Sequence, residues 1–308
     1  MIILLSSARF NFLSAHGILG LALIAVAWPA SWLQLQPLAE YSFFPLWLGY
    51  ILVIDALVLR RKGTSLLVRD PRAFLGLFVA SVPLWWAFEG INYYTQNWQY
   101  LGADGYSTLR YFLVASWHFS IVIPAVFETA ELVGCLGLVN RFMHGPALPN
   151  SWLLPVGAMV LGLASLVSLV LWPTYAFAGS WLCLFLLLDP INYLQGRPSV
   201  LAWLRRGDWR LVVVFGAGAL VCGWFWEMWN YWAFPKWQYT IPLVDFAHVF
   251  EMPVLGYIGY LTFGLEVYAA YHFLSGLVPR VPQVSLRMVV SIPETRPPAR
   301  AVAPMASD

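Results

Sequence analysis

Two stretches of this chain are near copies of one another, and that duplication constrains the fold more than any other feature. The run Trp86-Ala87-Phe88-Glu89-Gly90-Ile91-Asn92-Tyr93, followed by Trp98-Gln99-Tyr100, returns as Phe225-Trp226-Glu227-Met228-Trp229-Asn230-Tyr231, followed by Trp237-Gln238-Tyr239. Glu89 and Asn92 recur 138 positions later as Glu227 and Asn230, and Trp98 recurs 139 positions later as Trp237. Upstream, Tyr41, Trp47 and Asp55 match Tyr175, Trp181 and Asp189, and Trp28-Pro29 matches Trp172-Pro173. Ordered landmarks of this kind mark a tandem repeat of a whole unit. The expected organisation is a first membrane repeat over 1–140, a second over 141–278, and a Pro-rich, disordered cytoplasmic tail over 279–308.

The unit belongs in a bilayer. Only 10% of the residues are charged, against about 25% in a soluble domain, while 60% are hydrophobic and the mean hydropathy is +0.70. Apolar windows predict eight spans, at 14–33, 43–60, 73–91, 119–140, 152–171, 177–194, 210–231 and 254–275. Each approaches the roughly 20 residues a crossing helix needs. The aromatic stretches 106–118 and 241–253 are read as interfacial or re-entrant. The first span resembles a signal peptide, but its counterpart at 152–171 argues that it is retained. The expected fold class is therefore an all-α integral membrane protein with about eight transmembrane helices in two tandem, parallel four-helix repeats. With both termini cytoplasmic, every Lys and Arg except Arg110 and Lys236 falls on the inner side, which fits a multi-pass protein of the cell (inner) membrane. Cys135, Cys183 and Cys222 lie in apolar runs and read as small buried hydrophobes, with no disulfide and no zinc.

Acidic residues inside apolar spans are the strongest functional signal. Asp55, Glu89, Glu128, Glu131, Asp189, Glu227 and Glu266 fall within predicted spans, with Glu251 at an edge and no Lys or Arg well inside to neutralise them. Uncompensated charge is costly there, so intramembrane acids are candidate proton-exchange groups. Glu89 with Asn92, and Glu227 with Asn230, are three residues apart and share a helix face. Asp55 and Asp189 lie near span ends and are better read as structural. Glu128 with Glu131, and His248 with Glu251, are further same-face pairs. His118 and His248 occupy similar places in the two halves, each followed by a proline, Pro124 or Pro253. No recognised metal spacing is present, and neither a metal nor a cofactor is assigned. Aromatic residues beside these acids (Trp86, Tyr93 and Trp98; Trp226, Trp229, Tyr231 and Trp237) are candidates to line a ligand site, as are His118 and His248. Rings stabilise developing positive charge, and they suit a flat apolar ligand equally well.

The chain has no phosphate-binding glycine loop, no nucleophile elbow, no basic aromatic surface for nucleic acid, and no aspartate-rich diphosphate motif. The order Trp226-Glu227, Asn230, Trp237-x-Tyr239, then Phe250-Glu251-Met252-Pro253, with Glu89, Trp98, Tyr100, Pro124 and Glu128 in the first half, resembles the internally duplicated membrane lycopene cyclases of the bifunctional and heterodimeric type. It departs from them in separating the glutamates after the first proline, as Glu128 and Glu131, and in placing Glu251 before Pro253. The resemblance implies a redox-neutral cyclisation or isomerisation of a carotenoid or similar isoprenoid. Glu89 and Glu227 would then be acid and base, oriented by Asn92 and Asn230 and supported by Glu128, Glu131 and Glu251. Two other classes stay open. One is a non-enzymatic lipid or quinone binder or small transporter; the other is a structural subunit of a membrane complex. The expected partners are the bilayer and an apolar, isoprenoid-like small molecule, with homo- or hetero-oligomers left open.

Overall fold

A computed structural model describes residues 13–278 and is mostly helical. The expected tail over 279–308 lies outside the described residues. Nine described helices have twelve residues or more: α1 (Ala15–Trp32), α2 (Phe43–Lys62), α3 (Pro71–Thr95), α4 (Thr108–Phe119), α5 (Val122–Gly134), α6 (Leu153–Leu171), α7 (Cys183–Leu194), α8 (Arg210–Tyr231) and α9 (Tyr257–Leu277). Local signals set their ends. Gly63, with φ of 73°, closes α2 in the left-handed region after three basic residues. Asp70 caps α3 by accepting from the Ala73 amide at 2.9 Å, with Pro71 at the first helical position.

Six of the described helical stretches are long and apolar enough to cross a membrane: α1, α2, α3, the 27-residue run Thr108–Gly134 that joins α4 to α5, α6 and α8. A bent pair, Pro173–Trp181 with α7, makes a seventh if counted as one span. Two expectations change here. Residues 106–118 are not a separate interfacial piece, because from Thr108 they form the first half of the span that α5 completes. α9 has the length of a span but is not among the apolar ones. Four tyrosines, Glu266 and His272 lower its hydropathy, and much of its surface is buried against α3, α5, α7 and α8 instead of facing lipid. The multi-pass membrane character holds; the count is six or seven where eight were expected.

Packing follows a recurring order. α1 packs on α2, α2 on α5, and α3 on α5; further along the chain α6 packs on α7, α7 on α9, and α8 on α9. The two groups meet where α5 packs on α8 and α3 on α9. The α1–α2 contact is a backbone approach: a Cβ on Gly20 would sit 2.6 Å from the Gly49 oxygen, so only small residues fit there. After α3 and α8 the chain turns into two short strands, β1 (Trp98–Leu101) and β2 (Lys236–Tyr239), which pair antiparallel. Trp98 lies opposite Tyr239, Gln99 opposite Gln238, and Tyr100 opposite Trp237. A short hairpin pairs β3 (His248–Val249) with β4 (Met252–Pro253).

Candidate functional site

The two asparagines build the site by fixing backbone. Asn92 Oδ1 accepts from the amides of Asn97 (2.8 Å) and Trp98 (3.2 Å), and its Nδ2 donates to the Trp98 carbonyl at 2.8 Å. Asn230 does the same for Trp237, accepting its amide at 2.9 Å and donating to its carbonyl at 2.7 Å. These side chains pin the start of each strand and make no hydrogen bond to the glutamates. The expectation that they orient the acids is corrected accordingly: they position the tyrosines that do.

Each glutamate meets the tyrosine of its strand. Glu89 Oε1 accepts from Tyr100 Oη at 2.6 Å, Trp85 Nε1 at 2.9 Å and Trp98 Nε1 at 3.2 Å. Glu227 Oε1 accepts from Tyr239 Oη at 2.8 Å and Tyr260 Oη at 2.6 Å. Glu227 is wholly buried, and its Oε2 has no hydrogen-bond partner. Four positions before Glu89 stands Trp85; four before Glu227 stands Gly223. A Cβ at Gly223 would lie 2.4 Å from Tyr260 Cδ2, so the missing side chain is what admits the Tyr260 ring.

Between the two carboxylates lies an aromatic cavity of about 160 Å³. At roughly 15 Å³ per water it has room for about ten. Both halves contribute to it: Tyr100, Trp98, His118 and Phe119 from the first, Trp226, Trp229, Trp237, Tyr239 and Tyr260 from the second. Among the sequence candidates, Trp98, His118, Trp226, Trp229, Asn230 and Trp237 line it. Glu89 and Glu227 sit one hydrogen bond behind its wall. Trp86 is turned away, stacked on Phe112 and bonded to Ser116 Oγ at 2.9 Å. Tyr93 is 75% exposed and Tyr231 37%, and neither lines the cavity.

The remaining candidates are elsewhere. Val122 lines the cavity, and Glu131 lies nine residues further along α5, roughly 13 Å away at 1.5 Å per residue. There Glu131 meets Arg69 Nη2 at 3.0 Å and Lys62 Nζ at 3.6 Å, so the basic loop after α2 does reach an intramembrane acid. Glu128 is fully buried one turn above, away from the cavity. Glu251 pairs with Lys236 in the loop region, and half-exposed His248 meets Asp245 at 2.8 Å. His118 and His248 are not counterparts, since His118 packs on Phe43 in the cavity wall. Asp55 and Asp189 cap the short helices that follow them: Asp55 accepts from the Leu67 amide (3.0 Å) and Ser65 Oγ (2.7 Å), Asp189 from the Val200 and Leu201 amides (2.6 and 2.9 Å). Among the described residues no group of three or more His, Cys, Asp or Glu is placed to hold a metal.

At one edge the cavity is bounded by Glu40 and Lys236. Burial would raise the Glu40 carboxyl, but hydrogen bonds from Tyr106, Arg110 and Tyr41 outweigh it and hold the group below the usual carboxylate range. Sequence reasoning passed over Tyr100 and Tyr239, although the repeated Trp-Gln-Tyr carried them, and it missed Tyr260, which no repeat marks. No family model, curated protein or solved structure matches the chain.

Proposed function

We propose that this membrane-embedded protein binds a flat, apolar isoprenoid in the aromatic cavity and catalyses a redox-neutral cyclisation or isomerisation by proton exchange at Glu227. One observation carries the reading. A wholly buried glutamate has one oxygen without a partner, and the other accepts from two tyrosine hydroxyls that line an aromatic cavity. Trp226, Trp229 and Trp237 supply π faces for a cationic intermediate. Glu89, held by three donors on one oxygen, is better suited to supporting the wall than to giving up or taking a proton.

The tandem-repeat reading, with halves near 1–140 and 141–278, draws support from two features. The recurring helix order is one. The other is the β1–β2 register, in which Trp98 faces Tyr239 and Tyr100 faces Trp237, the pattern a local two-fold axis produces. The halves then share a single site. A parallel four-helix unit per half, cytoplasmic termini and an inner-membrane location belong to the same proposal, as does kinship with the membrane lycopene cyclases, which the Trp-x-Tyr tyrosines favour as acid partners.

Expression in a lycopene-producing bacterium, followed by liquid chromatography and mass spectrometry of extracted pigments and lipids, tests the activity. A new product of unchanged mass is expected. An unchanged profile with protein present in the membrane would contradict the carotenoid reading and favour a non-enzymatic lipid or quinone binder.

A further inference from the structure

Glu227 does not itself line the cavity, so a proton passing between it and a ligand must cross a wall residue. Two side chains bridge that gap, Tyr239 and Tyr260, and their hydroxyls end on the same carboxyl oxygen. They differ in origin. Tyr239 has a counterpart in Tyr100 and belongs to the paired strands. Tyr260 stands on α9, and its ring occupies the space left by Gly223, where the first half carries Trp85. The ring stacks on Trp226 at 6.0 Å between centroids and meets Phe263 edge-on at 6.4 Å, both of which line the cavity. A hydroxyl on a helix, flanked by two aromatic faces and 2.6 Å from a buried carboxyl, is placed where a carbocation would be both stabilised and deprotonated.

Resting on the proton-exchange reading above, we propose that Tyr260 is the residue that touches the reacting carbon and that Glu227 acts through it. In the first step the Tyr260 hydroxyl proton adds to a terminal carbon–carbon double bond, whose π electrons form the new C–H bond and leave a carbocation. The Glu227 carboxylic acid refills the phenolic oxygen and becomes a carboxylate. After cyclisation, a C–H bond next to the cation breaks, and its electron pair forms the product double bond. That proton goes to the Tyr260 oxygen as the hydroxyl proton passes to Glu227 Oε1. One proton is lent and returned, so the cycle needs no oxidant, reductant or co-reactant. Tyr239 holds the carboxyl in place and is a positioning residue.

Tyr260→Phe keeps the ring that fills the Gly223 space, so folding is preserved while the hydroxyl is lost. Membranes holding full-length wild type, Tyr260→Phe and Tyr239→Phe, matched for protein, are assayed on lycopene in H₂O and D₂O. Wild type is expected to place one solvent deuterium in the product. Tyr260→Phe should form product about 100-fold more slowly, and Tyr239→Phe less than tenfold. Fluorotyrosine at 260, a more acidic phenol, should displace the pH–rate profile, whereas fluorotyrosine at 239 should leave it in place. Wild-type turnover by Tyr260→Phe, or an unmoved profile with fluorotyrosine at 260, would overturn the relay while leaving the cyclase reading intact. Absence of any product from wild type would overturn both.

Discussion

Glu89 and Glu227 hold the same place in their helices and meet the same strand tyrosine, yet their surroundings diverge. Around Glu89 two indoles and a phenol converge on one oxygen. Two of these donors, Trp98 and Tyr100, stand on β1, so this carboxyl ties α3 to the strand as a strut. Around Glu227 the Trp85 equivalent is Gly223, Tyr260 enters, and the carboxyl is wholly buried where Glu89 is only partly so. The proposed repeat sets the two glutamates in matching frames. Gly223 in place of Trp85 admits the Tyr260 phenol beside Glu227, and the contrast teaches that a buried acid is judged by what its donors touch.

Altering Gly223 should break the comparison most strongly. Gly223→Ala drives a methyl into the Tyr260 ring and is expected to cost about 3 kcal/mol, read as a lower melting temperature in detergent. Gly90→Ala, where the added Cβ meets nothing within 4 Å, should be neutral or stabilise by up to about 1 kcal/mol. The frames should behave alike at their asparagines. Asn92→Ala and Asn230→Ala are each expected to cost about 2 kcal/mol, with Asn92→Ala the worse because it loses three bonds and Asn230→Ala two. Trp85→Phe removes one of three donors from Glu89 and should cost about 1 kcal/mol, read as a lower melting temperature. The smallest effect lies at the cavity edge. Glu40 titrates below an ordinary carboxylate, so its pairing with Arg110 adds stability above the usual pKa of about 4.3 and loses it as pH falls through the lowered value. Melting curves between pH 7 and pH 3.5 should fall slightly more steeply for wild type than for Glu40→Gln, with the difference shrinking in high salt because Arg110 is 45% exposed.

The membrane character and most helix positions were legible because apolar runs of span length have few other uses. α4 was not, since Ser107, Arg110 and His118 interrupt its hydropathy although they leave its helical backbone intact. Hydropathy predicts a span over 254–275, because burial of α9 among other helices leaves no mark on hydropathy separate from its tyrosines. Spacing placed Glu89 with Asn92 on one face, yet their separate tasks arise from the turn after Thr95, which brings the Trp98 backbone back to Asn92. Glu131 was expected to stand without a cation; Arg69 and Lys62 reach it from the next loop, a meeting fixed by tertiary packing. Tyr260 was invisible for the same reason: its relation to Glu227 crosses 33 residues, and Gly223 was its sole trace.

Glu89→Gln and Glu227→Gln, expressed side by side in a lycopene-producing bacterium and scored for both product and melting temperature, test the inequality of the two acids most directly. Glu227→Gln should cut product by at least about 100-fold with little change in melting. Glu89→Gln should lower the melting temperature while the protein that remains folded keeps most of its turnover. Equal loss of product in the two variants, or greater loss in Glu89→Gln at unchanged stability, would contradict the assignment of proton exchange to Glu227.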